Sequence, residues 1–157
     1  MEPSARAGLG TSSLFVVTAA AIAAAFVFYL YVEARTAQSK RVLTIERMAA
    51  IQDALDKYLI DCGGALPTQR QGLNALIERP ATRPVPRGWN GPYLDDPAKL
   101  RDGWGRSIKY FCPGGTSPDD PGRRRPYDLA SFGRDGQEGG KGLDRDILSW
   151  ERATMVP

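Results

Sequence analysis

From Leu14 to Val32 the chain carries no charged side chain, running through Phe15-Val16-Val17, Ala19-Ala20-Ala21-Ile22 and Phe26-Val27-Phe28-Tyr29-Leu30-Tyr31. A helix needs roughly 20 apolar residues to cross a hydrocarbon layer, and Tyr29 and Tyr31 stand where an interfacial aromatic belt would lie. A cleaved signal peptide is the competing reading, but the run is long for one and its entry only weakly basic. After Val32 the pattern changes rather than stops. Val42, Ile45, Met48, Ile51, Leu55, Tyr58, Leu59 and Cys62 recur three and four apart, while Arg47, Gln52, Asp53, Asp56 and Lys57 take the remaining surface. Neither glycine nor proline occurs from Glu33 to Cys62. The pattern therefore predicts one long helix, apolar all round in its first half and striped in its second, stopped by Gly63-Gly64.

Beyond that stop the elements are short. Thr68 and Gln71 have capping-box spacing and predict a short helix whose inward face is Leu73, Leu76 and Ile77. Pro80, Pro84 and Pro86 then enforce an extended path, with Trp89 and Tyr93 expected to pin it to the core. Asp102-Gly103-Trp104-Gly105-Arg106 reads as a tight turn into a strand over Ser107–Phe111. Pro113–Pro126 is a polar excursion, Tyr127–Ser131 returns antiparallel, and Ile147–Trp150 closes the set. The fold class is α+β: a long helix carrying a small antiparallel sheet.

The 157 residues divide into a disordered segment (1–13), a transmembrane helix (14–35) and one head domain (36–157) that includes the second half of the helix. A net charge of +3 with scattered arginines excludes a nucleic-acid surface; the one tight cluster, Arg123-Arg124-Arg125, follows Asp119 and Asp120, lacks interleaved aromatics and reads as a solvated loop. With two cysteines and no histidine the chain has neither an unaided zinc site nor a histidine-based catalytic dyad or triad. Cys62 and Cys112 are the candidate disulfide, and two unrelated buried thiols are the alternative.

Between the last two strands, Asp135, Asp144 and Asp146 are spaced around Gly133, Gly136, Gly139, Gly140 and Gly142. Hard cations take several converging oxygens, and glycine permits the positive-φ turns that aim main-chain carbonyls inward. The loop reads as a calcium site, a solvated aspartate- and glycine-rich turn being the alternative.

Five segments in order carry a family resemblance: Tyr58 to Asp61 at the helix end, Pro67-Thr68 with Gln71-Gly72-Leu73 and Ala75-Leu76, Gly91-Pro92-Tyr93-Leu94, Asp102 with Trp104-Gly105, and the loop from Ser131 through Gly133, Asp135-Gly136-Gln137-Glu138-Gly139-Gly140 to Asp144 and Asp146. From about Ala49 to Trp150 the chain resembles the major pseudopilin family of bacterial type II secretion systems. The resemblance implies a type IV pilin-like fold, an inner-membrane anchor, a periplasmic head, and assembly with itself and other pseudopilins or inner-membrane components into a short filament. It implies Ca2+ held by Asp135, Asp144 and Asp146, with main-chain oxygens near Phe132 and Gln137 completing the shell; Lys141 stands where many relatives are acidic. The amino terminus departs from the pattern. A cut after Gly8 or Gly10 places Ser13 or Phe15, not glutamate, at the fifth position, and the first acid after the apolar run begins is Glu33.

Two functional classes follow: a membrane-anchored secretion-filament subunit, or a tethered binding module that uses the scaffold without polymerising. The first is the preferred reading; the missing glutamate and the long Pro113–Pro126 insertion motivate the second as its alternative. No nucleophile elbow, phosphate loop or zinc spacing supports an enzyme. Arg35, Lys40, Arg41 and Arg47 after the span, against Arg6 before it, would place the head in the cytoplasm by charge alone; the calcium ligands and the cysteine pair place it outside.

Overall fold

The structure, a computed structural model, describes residues 11–117 and 119–151, so the segment up to residue 10, with both candidate cleavage glycines, lies outside the described residues. Its elements are helix α1 (Thr11–Asp61), strands β1 (Lys109–Phe111), β2 (Asp128–Ser131) and β3 (Ile147–Leu148), and 3-10 turns at Leu73–Leu76, Pro97–Leu100 and Gly142–Asp144. The helix stops where glycine allows a left-handed turn: Gly63 has φ 67, and the Gly64 and Gly63 N–H groups donate to the carbonyls of Leu59 and Ile60. This satisfies two carbonyls that have no partner inside the helix.

Contacts divide the chain into two compact units, Met1–Thr36 and Ala37–Pro157. In the first, every side chain from Leu14 to Val32 is exposed. In the second, the helical stripe Met48, Ile51, Leu55 and Tyr58 is fully buried against Leu76, Leu129 and Ile147. Each such side chain contributes about 1.5–3 kcal/mol by leaving water. Strand β2 is central and buried at all four positions, with Lys109 opposite Ala130, Phe111 opposite Asp128, and Ser131 opposite Ile147, both pairings antiparallel.

The free edge of β1 is covered without a further strand. Leu100 O accepts from Ile108 N–H at 2.9 Å, while the Gln69 amide donates to Tyr110 O at 2.7 Å and accepts from Cys112 N–H at 2.9 Å. One side chain thus stands in for a neighbouring strand and blunts edge pairing.

The expected helix after Pro67 is only a single 3-10 turn. Its capping box does form, Thr68 N–H to Gln71 Oε1 at 2.9 Å and Gln71 N–H to Thr68 Oγ1 at 3.2 Å. But Gly72 (φ 60) breaks the helix path, and the Gln71 amide reaches across to Thr82 O and Pro84 O, tying down the proline segment. Trp89 donates to Ala75 O and Tyr93 to Asp61 at the helix end, as the sequence leads one to expect. The cysteines do not bridge. Both are free thiols: Cys62 lies against Tyr58 and Tyr93, its pKa pushed up chiefly by burial, while Cys112 is held at the β1 edge by Gln69.

Two polar anchors organise the second unit. Asp102, 2% exposed, accepts the Trp104 and Arg106 N–H groups on Oδ1, each at 2.9 Å, and the Ser131 hydroxyl on Oδ2 at 2.8 Å. Gly103, next in the chain, packs directly on the Lys40 backbone and donates to the buried Thr44 hydroxyl at 2.8 Å, and Arg47 donates to the carbonyls of Arg101 and Asp102. The second anchor corrects the reading of the arginine cluster. Arg123 and Arg124 are exposed, but Arg125 turns inward, forms a two-point ion pair with the buried Asp128, donates to Thr116 O, and lies 5.0 Å from the centre of the Trp150 ring. It clamps the excursion onto the sheet.

Replacing Asp102 by alanine removes three hydrogen bonds and leaves the Ser131 hydroxyl buried without its acceptor. Asp102→Ala is expected to lower unfolding free energy by roughly 3 kcal/mol, measured by urea titration. Asp128 adds a pH dependence. Burial disfavours its charge, but Arg125 and the Gly115 N–H outweigh burial and bring its pKa below 3.8. A depressed carboxylate stabilises the fold fully above its unfolded pKa, and that contribution is lost as pH falls through the folded value. Asp128→Asn should therefore cost roughly 2–3 kcal/mol at pH 7, with the gap from the parent narrowing as pH falls below about 3.8.

Candidate functional site

The loop joining β2 to β3 runs from Phe132 to Asp146, and its turns are made by glycines at positive φ: Gly133 (57), Gly136 (72), Gly139 (102), Gly140 (80) and Gly142 (60). At two of them a side chain has no room. A Cβ at Gly133 would stand 2.5 Å from Asp144 O, and one at Gly140 would stand 2.6 Å from the same oxygen. The backbone is folded back on itself, as the glycine spacing predicts.

The carboxylates are not drawn to one point. Asp135 is exposed and closes its own turn by accepting Gln137 N–H at 3.1 Å. Asp144 faces Arg134, with Oδ1 2.7 Å from Nε and Oδ2 3.2 Å from Nη2, and this pair holds its carboxyl below the usual carboxylate range. Asp146 is 7% exposed; its Oδ2 accepts Gly139 N–H at 2.9 Å and its Oδ1 has no hydrogen-bond partner. Phe132 O accepts Gly136 N–H at 2.9 Å, and Gln137 is exposed. Among the described residues no group of three or more acidic, cysteine or histidine side chains gathers.

Guanidinium groups occupy one of these carboxylates and several main-chain carbonyls of the loop. Besides Arg134 on Asp144, Arg106 donates through Nη2 to Gly133 O at 3.3 Å and Arg134 O at 2.6 Å, and its Nε would stand 2.5 Å from a Cβ at Gly136. On the other side Arg41 of α1 donates to Arg145 O at 2.9 Å. None of these arginines is apparent from the acidic pattern. The available signal is the Asp102-Gly103-Trp104-Gly105-Arg106 turn, whose aspartate bonds the N–H groups two and four residues on and thereby aims Arg106 at the loop.

The donor set still fits a hard cation in one respect. A carboxylate oxygen buried without a partner is costly, and Asp146 Oδ1 sits in a loop rich in backbone carbonyls. Asp144 would join it only after leaving Arg134.

Comparison with known proteins agrees with this architecture. The family model described as type II secretion system (T2SS), protein G, matches residues 31–150. Type II secretion system core protein G of Pseudomonas aeruginosa is 38% identical over 122 residues, covering 76% of this chain and 78% of that protein. The corresponding protein of Vibrio cholerae is 40% identical over 114 residues, covering 72% and 68%. Among solved structures, the major pseudopilin of the type 2 secretion system of enterohaemorrhagic Escherichia coli superposes with a TM-score of 0.54 at 28% identity, over 72% of this chain and 88% of that one.

Proposed function

This chain belongs to the protein G family of type II secretion systems, and from that membership we propose that it is a membrane-anchored filament subunit whose calcium-stabilised head faces the periplasm. It is a major pseudopilin, a structural subunit and not an enzyme. The observation that carries the anchored reading is the exposed apolar surface of α1 from Leu14 to Val32, beside a head whose core is confined to Ile45–Ile147. A helix apolar all round has to be covered, by lipid or by like helices. In the family arrangement both covers apply: lipid before assembly, neighbouring subunits after it.

Lateral packing of these segments is testable by disulfide cross-linking of single cysteines placed along residues 14–32 in a Cys62→Ser, Cys112→Ser background. Ladders of multimers in membranes are expected; monomers alone would favour the tethered, non-polymerising module.

The calcium part rests on Asp146 Oδ1, with Asp144, Asp135 and the Phe132 and Gln137 main-chain oxygens as the remaining donors. When bound, calcium supplies a divalent charge that draws these oxygens together and ties the loop to the sheet. The chain's own part is to hold Asp146 beside Gly139 and to turn carbonyls inward at its glycines. Ligand-linked stabilisation at a calcium concentration about 100 times Kd is roughly 2.7 kcal/mol, or a melting shift of about 10 °C for a head of this size. The full-length chain in detergent micelles is expected to melt lower by about that amount when EDTA replaces calcium, and Asp146→Asn should abolish the difference. An unchanged melting curve in the parent chain would sink the calcium role.

A further inference from the structure

We propose that Arg134 is the loop's built-in competitor for the cation: it holds Asp144 and must leave that carboxylate for calcium to enter. This rests on the calcium reading above and concerns what sets the strength of that site.

The two arginines of the loop are held differently. Arg106 is fixed by its backbone, whose N–H donates to buried Asp102, and its guanidinium donates only to main-chain carbonyls. Removing its side chain would leave the Gly133 and Arg134 carbonyls without that donor. Arg134 instead meets a side chain, and both partners reach solvent, at 39% and 31% side-chain exposure. Either can rotate away while the loop backbone stays in place. Arg134 grips both oxygens of Asp144 at once, so no carboxylate oxygen there is left without a cationic neighbour. Asp146 offers the contrast: among the described residues no guanidinium bonds it, and Oδ1 remains without a hydrogen-bond partner.

The charge balance of the loop points the same way. From Phe132 to Asp146 the acids are Asp135, Glu138, Asp144 and Asp146, and the bases are Arg134, Lys141 and Arg145. With Arg106 pressed on Gly136 and Arg41 on Arg145 O, the positive side chains more than balance the negative ones. Cation affinity in loops of this kind follows the number of ligand charges and the rigidity of the site. A neutralised loop keeps its order without an ion and binds one weakly; the same loop without Arg134 gains a free carboxylate and loses a repelling charge.

The test is calorimetric titration of calcium chloride into the full-length chain in detergent micelles, comparing the parent with Arg134→Gln and Arg134→Lys. Arg134→Gln is expected to bind about tenfold more tightly, since a unit positive charge several ångströms from a divalent ion is removed. Arg134→Lys, which keeps the charge, should stay near the parent. In EDTA the melting temperature of Arg134→Gln should lie at or slightly below the parent's, which confirms a folded head and gives a crossover once calcium is added. In the unaltered chain, calcium should move the Arg134 Nε–H resonance toward the free-arginine position while that of Arg106 holds. Calcium binding of equal or lower strength in Arg134→Gln overturns the competitor role and leaves the calcium reading standing. An absence of binding heat in parent and variant alike overturns the calcium reading and this inference with it.

Discussion

Asp102 is the point through which the head is joined. A single buried carboxylate takes two N–H groups of its own turn and the hydroxyl of Ser131 on the central strand. The same turn is held on the helix by Thr44 and Arg47 and presents Arg106 to the β2–β3 loop. A carboxylate so buried is tolerable only when its lone pairs are met by donors. The turn and the central strand supply those donors, and the same turn is bonded to the helix through Gly103 N–H and the Asp102 carbonyl, so the three meet at one place. Apolar burial provides most of the stabilisation, but it is non-directional; the position of the loop on the sheet comes from this directional cluster.

Arginine repeats the theme at the other end of the sheet. Arg125 joins Asp128, Thr116 and Trp150, so the polar excursion before β2 and the residues after β3 are held by one guanidinium. In the loop, Arg106 and Arg134 satisfy oxygens that a cation would otherwise gather. A planar fork of donors suits both bidentate carboxylates and paired carbonyls. The chain has put that chemistry in the excursion before β2 and in the β2–β3 loop. The strands they flank are only two to four residues long.

Membership in the protein G family gives the exposed apolar half of α1 its meaning. A soluble monomer would be poorly served by an all-round apolar helix, and the filament subunit proposed above would need such a surface both in lipid and among its neighbours. The head is a compact unit of its own. Its edge-covering Gln69 and its clamped loops limit unplanned strand pairing between heads brought close together.

Periodicity and breakers alone determined the elements in this chain: the uncharged run, the three-and-four stripe, the Gly63-Gly64 stop, the reciprocal bonds of Thr68 and Gln71, and the alternating β1. These are local properties, set by side-chain spacing and backbone freedom within a few residues. The glycine loop was legible for the same reason, since positive φ is a property of single positions. Tertiary structure decided what no local pattern encodes. It chose which cation each carboxylate meets, Asp144 with Arg134 and Asp128 with Arg125, kept Cys62 and Cys112 as free thiols, and turned a solvated-looking Arg125 inward. Those outcomes depend on side chains distant in sequence, or on a neighbour's rotation toward the core, and only the packed chain brings them within bonding distance.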